Sequence, residues 1–279
     1  MLNCVDRILI AVRDAETAAA TFQALLGAEA RGAGACAHLG ARRTTLAAGE
    51  SEIDLLEATG QGPVRDFLDA RGEGLFAAGF ATADYGALKA RLVAKGADFT
   101  EEHGALHLAP GAARGLRAVI RPFEARSGPG PVSRIYEVTK MTADWKAEAD
   151  ALTDLFGLDA ARFCRITSAA FGYTGSLLLF DPPSRLDRIE LSEVTDPASA
   201  MGRFVTKRGE TLYMCFVETD APREIIARLA RAKARWAETP GDAGHQHFFI
   251  HPASLHGVLM GVSATNVAWL WSGRPELAR

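Results

Sequence analysis

The alternation of apolar and polar positions is clearest between Glu137 and Gly157, in the stretch EVTKMTADWKAEADALTDLFG. The first residues of this stretch favour a short strand, and a helical pattern follows. Its apolar members recur every three or four positions: Trp145, Ala149, Leu152 and Phe156. This spacing predicts one amphipathic helix. Asp144 is placed to cap its first turn, and Gly157 is placed to end it in the left-handed conformation.

The same pattern occurs a second time, from Arg7 to Gly27, with the same length between the capping Asp and the closing Gly. Further segments match in the same order along the chain. They are Ile53-Asp54-Leu55 with Ile189-Glu190-Leu191, Arg71–Leu75 with Arg208–Leu212, Ala90-Arg91-Leu92 with Ala227-Arg228-Leu229, and Pro110 and Gly115 with Pro252 and Gly257. Such a series indicates a tandem duplication.

Each half of the chain divides again into two units of the same kind. A strand and a helix are followed by three short strands, which predicts an α+β fold of four βαβββ modules. We predict two domains, residues 1–123 and 134–279. The segment 123–133, FEARSGPGPVS, is rich in Gly, Pro and Ser and is interpreted as the linker.

Composition agrees with an ordinary globular protein and excludes some partners. The chain has 279 residues, a formal charge of −3, 48% hydrophobic and 23% charged residues. Because no basic stripe is present, we expect no nucleic-acid partner. No signal peptide and no run of about 20 apolar residues is evident, so we expect no membrane span. Four cysteines without a CxxC pair suit a reducing cytoplasm.

These repeats and motifs resemble the vicinal oxygen chelate superfamily, which includes glyoxalase I, methylmalonyl-CoA epimerase, extradiol dioxygenases and antibiotic-resistance binding proteins. The epimerase-like members give the best local resemblance. Residues 71–75, RGEGL, resemble their loop before the fifth strand, and residues 251–259, HPASLHGVL, resemble their final hairpin. The resemblance implies that the four modules form two tandem half-open barrels.

In that family a metal is held by a His on the first strand, a Glu or Gln on the fourth, a His on the fifth and a Glu on the eighth. The matching positions are Arg7, Asp54, Ala77 and Val119 in the first half and Glu137, Glu190, Met214 and Gly261 in the second. We expect Arg7 to pair with Asp54, which leaves the first half with a degenerate site. The second half lacks two ligands, so we expect no metal and no other cofactor at these positions.

The pair Glu137 and Glu190 is the first candidate for catalysis in the C-terminal domain. Two carboxylates close together cannot both ionise cheaply, so one would hold a proton and supply an acid beside a base. The alternative is that both pair with nearby arginines, such as Arg134 or Arg188, and do nothing else.

Four of the seven histidines lie between residues 245 and 256. On a strand, His245 and His247 point to the same side. If that side faces the pocket, His247 could exchange protons with Glu190 or complete a rearranged metal site. If it faces outward, both are surface residues.

Three more residues complete the predicted site. Tyr213 is a candidate hydroxyl donor to an oxyanion, or else an ordinary core aromatic residue. Met214 and His256 are expected to contact substrate, although the position of His256 in a turn equally suits a solvent-exposed residue.

These observations predict a cytoplasmic small-molecule enzyme, an isomerase or lyase. It would move a proton on a carbonyl or thioester substrate through an enolate, without the standard metal site. The alternative is a non-catalytic binding protein like the drug-resistance members, and a third possibility is a metal-dependent dioxygenase with a rearranged site. Unpaired titratable groups in the barrel would favour the enzyme, and a wide aromatic cleft with all polar groups paired would favour the binder. The aromatic tail is expected to pack on a neighbouring element or subunit, which leaves a homodimer open.

Overall fold

A computed structural model describes residues 1–239 and 244–278. Within them the chain forms two eight-stranded mixed sheets. The first sheet contains β1 (Cys4–Val12), β2 (Glu29–Cys36), β3 (Ala41–Ala48), β4 (Ser51–Ala58), β5 (Gly74–Thr82), β6 (Phe99–Glu102), β7 (Ala105–Leu108) and β8 (Ala118–Pro122). Its helices are α1 (Ala15–Leu26), α2 (Pro63–Arg71) and α3 (Tyr85–Ala94). The strand order is β2-β3-β4-β1-β5-β8-β7-β6.

The second sheet repeats this topology. Its strands are β9 (Arg134–Met141), β10 (Cys164–Ser168), β11 (Tyr173–Leu179), β12 (Arg188–Val194), β13 (Leu212–Thr219), β14 (Trp236–Glu238), β15 (His247–Ile250) and β16 (Leu259–Ala264). Its helices are α4 (Trp145–Phe156), α5 (Ala200–Arg208) and α6 (Pro222–Arg231). The order β10-β11-β12-β9-β13-β16-β15-β14 is the order of the first sheet, strand for strand. The predicted α+β fold of four βαβββ modules is confirmed.

The sequence pattern did not predict α2 and α5, which connect the two modules of each half. Each has nine residues and only two buried side chains, such as Val64 and Leu68 in α2. A helix this short gives too few apolar repeats to stand out.

The predicted boundaries of the two long helices are confirmed. Asp14 accepts hydrogen bonds from the N–H groups of Glu16 and Thr17 at the start of α1. Asp144 caps α4 in the same way, and Gly157 ends it at φ 63°, in the left-handed region.

The two faces of each sheet belong to different cores. On one face, strands and helices from both halves share a single core. It includes Ile8, Phe22, Ile53 and Leu88 from the first half, and Val138, Leu152, Ile189 and Leu229 from the second. The opposite, inner face of each sheet has its own smaller core, around Phe76 in the first half and Phe216 in the second. Residues that alternate along the strands therefore face either the shared core or an inner face.

A β-bulge interrupts the first strand of each half at the same place. The pairing of β1 with β5 skips Asp6, and the pairing of β9 with β13 skips Tyr136. An extra residue re-aims the side chains beside it. Asp6 and Arg7 consequently both enter the inner ion cluster of the first half, and Tyr136 and Glu137 both enter the inner face of the second.

The contacts between the two halves are reciprocal, as in a dimer with two-fold symmetry. The guanidinium group of Arg71 donates to the backbone carbonyl of Arg208, and the guanidinium group of Arg208 donates to the carbonyl of Arg71. Likewise, α1 packs on α6 and α3 packs on α4. Reciprocal contacts between equivalent residues are those of an isologous interface, here within one chain.

The predicted linker, residues 123–133, contains neither helix nor strand. Its backbone passes close to the first half, because a Cβ atom on Gly130 would lie 2.6 Å from the carbonyl oxygen of Gly27. Among the described residues, no helix is both long and apolar enough to cross a membrane. The domain boundaries at 123 and 134 stay a prediction.

Candidate active site

Two carboxyl groups and one guanidinium group lie together on the inner face of the second sheet. Glu137 on β9 is the register partner of Arg188 on β12. The Nε atom of Arg188 donates to Oε2 of Glu137 at 2.7 Å, and the Thr139 hydroxyl donates to Oε1 at 3.0 Å. Glu137 and Arg188 are both fully buried. This part of the predicted alternative, a Glu137 paired with an arginine, is therefore what the structure has.

Glu190 lies beside this ion pair, and none of the described cations forms a salt bridge with it. Its apolar neighbours Ile189 and Leu191 face the shared core, so the carboxyl group points to the inner face as predicted. The Ser192 hydroxyl donates to Oε1 of Glu190 at 2.6 Å. Burial first, and then the charge of Glu137, raise the pKa of Glu190 to about 8. At neutral pH Glu190 therefore mostly keeps its proton, while Glu137 balances Arg188.

The sequence indicates Arg188 only as a pairing partner, and the structure gives it a larger role. Its Nη2 atom is buried and has no hydrogen-bond partner among the described residues. Its guanidinium group lies 4.9 Å from the centre of the Tyr136 ring. Buried donors are nearly always paired, so an unpaired one next to a protonated carboxyl group suggests a ligand. The alternation of Arg188, Glu190 and Ser192 in one strand is the signal that could have identified it.

Aromatic and apolar side chains cover this group. The Tyr136 hydroxyl shares a hydrogen bond of 2.9 Å with Ser263, and burial raises the pKa of Tyr136. The surrounding core includes Met214, Phe216, Ala268 and Trp269. The last two belong to a short 3-10 helix, Val267–Trp271, so the aromatic tail packs on its own domain.

The structure does not bring His247 to Glu190. Three strands, β9, β13 and β16, lie between β12 and β15, which carry these two residues. The His247 ring stacks on Phe216 and Trp271, and its Nδ1 atom shares a hydrogen bond with Thr239. His247 does face inward, but its position does not support a role as the proton partner of Glu190.

Tyr213 occupies a second bulge, which the pairing of β13 with β9 skips. Its ring packs edge-on against Phe204 of α5 at 4.8 Å between ring centres. The equivalent bulge residue of the first half, Phe76, packs in the same way on Phe67 of α2. A phenylalanine fills this role in the first half, so the structure supports the core interpretation of Tyr213 over the oxyanion donor.

Of the two predicted substrate contacts, Met214 lies on the inner face and His256 does not. Met214 is buried and pairs with Thr139 across the ladder. His256 lies between the halves, where its ring nitrogens share hydrogen bonds with Glu73 and Thr21 at 3.1 Å each. We therefore exclude His256 from the site.

The family's metal positions in the second half do not fit a metal. The guanidinium group of Arg188 already neutralises Glu137. At the eighth-strand position, a Cβ atom on Gly261 would lie 2.1 Å from the ring of Phe216, so that ring fills the space of the missing ligand. Met214 adds only a soft thioether to two hard oxygen ligands.

The first half places a cation side chain where a metal would be. Arg7 contacts Asp6 at 2.8 Å, Glu52 at 2.5 Å and Asp54 at 3.0 Å. The predicted pairing of Arg7 with Asp54 is confirmed. Arg126 contacts Asp6 and Glu52 as well, so this cluster is saturated.

The first half nevertheless keeps an inner cavity of about 190 Å³ that sequence reasoning missed. Its apolar lining includes Leu9, Phe76, Ala77 and Val119. His38, His107 and Arg117 add polar atoms. Burial lowers the pKa of His107 to about 3. The two histidines are far apart in sequence, so no motif pointed to them.

A larger groove of 680 Å³ runs along α1 and residues 232–234. It lies on the helix-covered side of the first sheet, away from both inner faces, and no buried titratable group lines it. We assign it no role.

Comparisons with known proteins give a family match for part of the chain and the fold for nearly all of it. Residues 6–112 match the family model described as Glyoxalase/Bleomycin resistance protein/Dioxygenase superfamily. A mutant of 4-hydroxymandelate synthase from Streptomyces coelicolor is similar over 94% of this chain and 93% of its own, with a TM-score of 0.71 and 14% identity. A xylose isomerase-like TIM barrel/4-hydroxyphenylpyruvate dioxygenase fusion protein is similar over 95% of this chain and 49% of its own, with a TM-score of 0.64 and 14% identity.

Methylmalonyl-CoA epimerase from Mycobacterium tuberculosis is 22% identical over 48% of this chain and 88% of its own, with a TM-score of 0.41. No curated protein matches the sequence. The likeness to the first two structures establishes the fold and leaves the reaction open. Residues 6–112 are similar to the glyoxalase/bleomycin resistance/dioxygenase superfamily, and the fold of the whole chain is that of the 4-hydroxymandelate synthase structure.

Proposed function

We propose that the protein is a small-molecule enzyme whose C-terminal domain moves a proton next to a carbonyl group, as an isomerase, epimerase or lyase does. This proposal depends on one observation: two buried carboxyl groups lie beside a single guanidinium group. Arg188 is bonded to Glu137, and Glu190 is left to keep its proton.

Glu190 is the proposed acid and base. A general acid–base group works best when its pKa lies near the working pH, because both protonation states are then populated. The pKa of Glu190, raised to about 8, meets this condition. Ser192 holds one carboxyl oxygen in place, so the other oxygen is the one proposed to face substrate.

Arg188 is the proposed stabiliser of the developing oxyanion. When the ionised Glu190 takes a proton from the carbon beside a carbonyl, the C–H bond breaks and its electron pair forms an enolate. The negative charge grows on the carbonyl oxygen, where a preformed donor is worth most. The unpaired Nη2 atom of Arg188 supplies such a donor. Glu190 then returns the proton to carbon, from which it can yield the other configuration or a rearranged double bond.

Solvent deuterium exchange tests this proposal, because it detects proton abstraction without knowledge of the product. A panel of acyl thioesters and aromatic 2-oxo acids is incubated with the protein in D₂O and followed by mass spectrometry. Glu190→Gln keeps the shape of the side chain and should lower exchange by about 100-fold or more. Asp54→Asn, at the equivalent position of the first half, is the matched control and should exchange like the wild type. Full exchange in folded Glu190→Gln would end the proposal.

A second candidate function is binding of a small molecule in the cavity of the first half, with or without catalysis in the second. The observation that favours it is Arg117, which lines the cavity and makes no ion pair within the described residues. A small acid with an apolar body would fit a guanidinium group above an apolar wall. Calorimetry with aromatic carboxylates tests this candidate. Arg117→Met should abolish binding, and Arg114→Met, an exposed neighbour, should not.

We retain the cytoplasm as the expected compartment. All four cysteines, Cys4, Cys36, Cys164 and Cys215, are free thiols in the structure, which supports a reducing environment. A small molecule remains the proposed partner, and a homodimer stays a prediction.

A further inference from the structure

We propose that His38, Glu102 and His107 form a binding site for one divalent transition-metal ion of the zinc type, beside the cavity of the first half. His38 lies in the short 3-10 helix Ala37–Leu39 between β2 and β3, Glu102 ends β6, and His107 lies on β7. One ligand atom from each residue lies within 4.8 Å of the others. None of the three occupies a position that matches the family's metal ligands, so the site is new to this chain.

The chemistry of the three side chains suits such an ion. Two imidazoles and one carboxylate are a donor set that zinc uses in proteins. The His38 Nδ1 atom and Glu102 Oε2 lie 2.7 Å apart, and the N–H group of Ala37 fixes Oε1 of Glu102 at 2.9 Å. A metal ion would replace the proton that this His–Glu contact shares. The other nitrogen of His38, Nε2, is buried and has no hydrogen-bond partner among the described residues.

The second half shows that folding does not require imidazoles at this place. Phe249 pairs with Gly261 across the ladder as His107 pairs with Val119, so Phe249 and His107 are equivalent. Phe171, in the turn before β11 and at the position of Leu39, meets Phe249 edge-on at 69°, so this turn contacts Phe249 through an aromatic ring one residue from the position of His38, which meets His107 at 64°. Two aromatic rings suffice for packing, and the first half instead carries nitrogen ligands there. A second reason for the imidazoles is therefore needed, and a bound cation supplies it.

The cavity beside the histidines determines what kind of metal site this would be. His38 and His107 both line it, whereas Glu102 does not. Three protein ligands, two of which face this open space, leave a coordination position for water or a small ligand, which is the pattern of catalytic rather than structural zinc sites. Arg43 and Arg121 are close enough to act electrostatically on His107, and their charges will keep the affinity moderate. The inference does not depend on the proposed chemistry of Glu190.

The experiment titrates the chelator-treated full chain with Zn²⁺ in a calorimeter. The wild type should bind one ion per chain. The double variant His38→Phe/His107→Phe keeps an aromatic ring at both positions and removes both nitrogen ligands. Its Zn²⁺ affinity should fall at least about 100-fold, while Glu102→Gln should cost about 10–100-fold. His103→Asn is the matched control, because His103 is an exposed neighbour of Glu102 with φ 51°, a conformation that Asn accepts. It should bind Zn²⁺ like the wild type.

Three results would overturn the assignment: no Zn²⁺ binding by the wild type, wild-type affinity in the folded double variant, or loss of binding in His103→Asn. If circular dichroism shows that the double variant does not fold, His107→Gln replaces it in the same comparison. The visible spectrum of the Co²⁺-loaded protein provides an independent reading of ligand number. It should change in Glu102→Gln, and an unchanged spectrum there would remove Glu102 from the site.

Discussion

The two halves of the chain share strand order, bulges and the caps of their first helices, yet their inner faces carry opposite charge patterns. At the first bulge the first half places Arg7 among three carboxylates, and the second half places Glu137 against Arg188. In the first cluster every carboxylate has a cation within 4 Å, since Arg126 and Arg43 assist Arg7. In the second, no salt bridge reaches Glu190 within the described residues. Burial tolerates charge only when it is compensated, so Glu190, which no cation pairs with among the described residues, is the carboxyl group that keeps a proton.

The two inner faces also differ outside their ion clusters. The first half leaves a cavity there, lined by His38 and His107. In the second half, the ring of Trp271 and the buried Trp269 come from the C-terminal tail and pack on the same region. The first half has no such tail, since its last strand leads into the linker. Duplication thus produced one domain with a saturated ion cluster and an open cavity, and one with an unsaturated cluster under an aromatic cover.

The largest expected effect comes from removing the central cation of each half. Arg188→Met leaves Glu137 buried without a partner and should cost about 3–5 kcal/mol of unfolding free energy at neutral pH. Arg7→Met should cost less, because Arg126 and Arg43 still neutralise its carboxylates. Urea unfolding of both variants measures the two losses. An equal or larger loss in Arg7→Met would contradict the idea that only the first cluster is saturated.

The next largest effect is the change of the unfolding free energy with pH that Glu190 causes. Its pKa is raised from 4.5 to about 8, so the folded state keeps a proton that the unfolded chain releases. Stability from this group is therefore fully present below pH 4.5 and is lost as pH rises to about 8. Glu190→Gln cannot ionise, so it should match the wild type near pH 5 and exceed it near pH 9. Each pKa unit is worth about 1.4 kcal/mol.

Asp54→Asn provides the contrast from the first half. It removes a carboxylate that binds Arg7 and the Thr45 hydroxyl, so it should destabilise the protein. Melting temperatures of both variants across pH 5 to 9 distinguish the two behaviours. If Asp54→Asn were more stable than the wild type at high pH, the proposed difference between Asp54 and Glu190 would be wrong.

A smaller effect is expected at the eighth-strand position. Gly261→Ala drives a methyl group into the ring of Phe216 and should cost about 1–3 kcal/mol. Val119, its equivalent in the first half, carries a side chain there without such a clash, so the cost comes from Phe216 and not from the strand. Denaturant titration of Gly261→Ala in the wild-type and Phe216→Ala backgrounds checks this. The penalty should largely disappear in the second background, and an unchanged penalty would refute the explanation.

The smallest effect is predicted for His38→Phe/His107→Phe in the absence of metal. The substitutions replace each imidazole by an aromatic ring like that of Phe249, the equivalent of His107, so stability should change by less than about 1.5 kcal/mol. Thermal unfolding in the presence of a chelator measures it. A loss of several kcal/mol would mean that the imidazoles serve packing after all.

The parts of this structure that the sequence predicted are those with a local or repeated pattern. The helix from Trp145 to Phe156 carries its caps and its apolar stripe within one stretch, and the alternation around Glu190 sets its orientation. Because the two halves have matching segments, each prediction for one half also applies to the other. For this reason the four modules and the meeting of Glu137 with Glu190 could be predicted.

The residues that escaped prediction depend on features without a local signal. A bulge turns Tyr213 toward Phe204, and the packing of the two halves brings His256 to Glu73. The number of strands between β12 and β15 separates His247 from Glu190, although alternation alone allowed them to meet. The pairing of distant strands determines the positions of Tyr213 and His247, and the packing of the halves determines that of His256; no short window of sequence contains either.

The central claim is that Glu190 keeps a proton in the folded protein at neutral pH. The most direct test is an NMR pH titration of protein labelled with ¹³C at the glutamate carboxyl carbons, in the wild type and in Glu190→Gln. One carboxyl signal should titrate near pH 8 in the wild type and be missing from Glu190→Gln. If every glutamate signal titrates below about pH 6, within the ordinary range for this residue, or if the signal near pH 8 persists in Glu190→Gln, the claim is wrong.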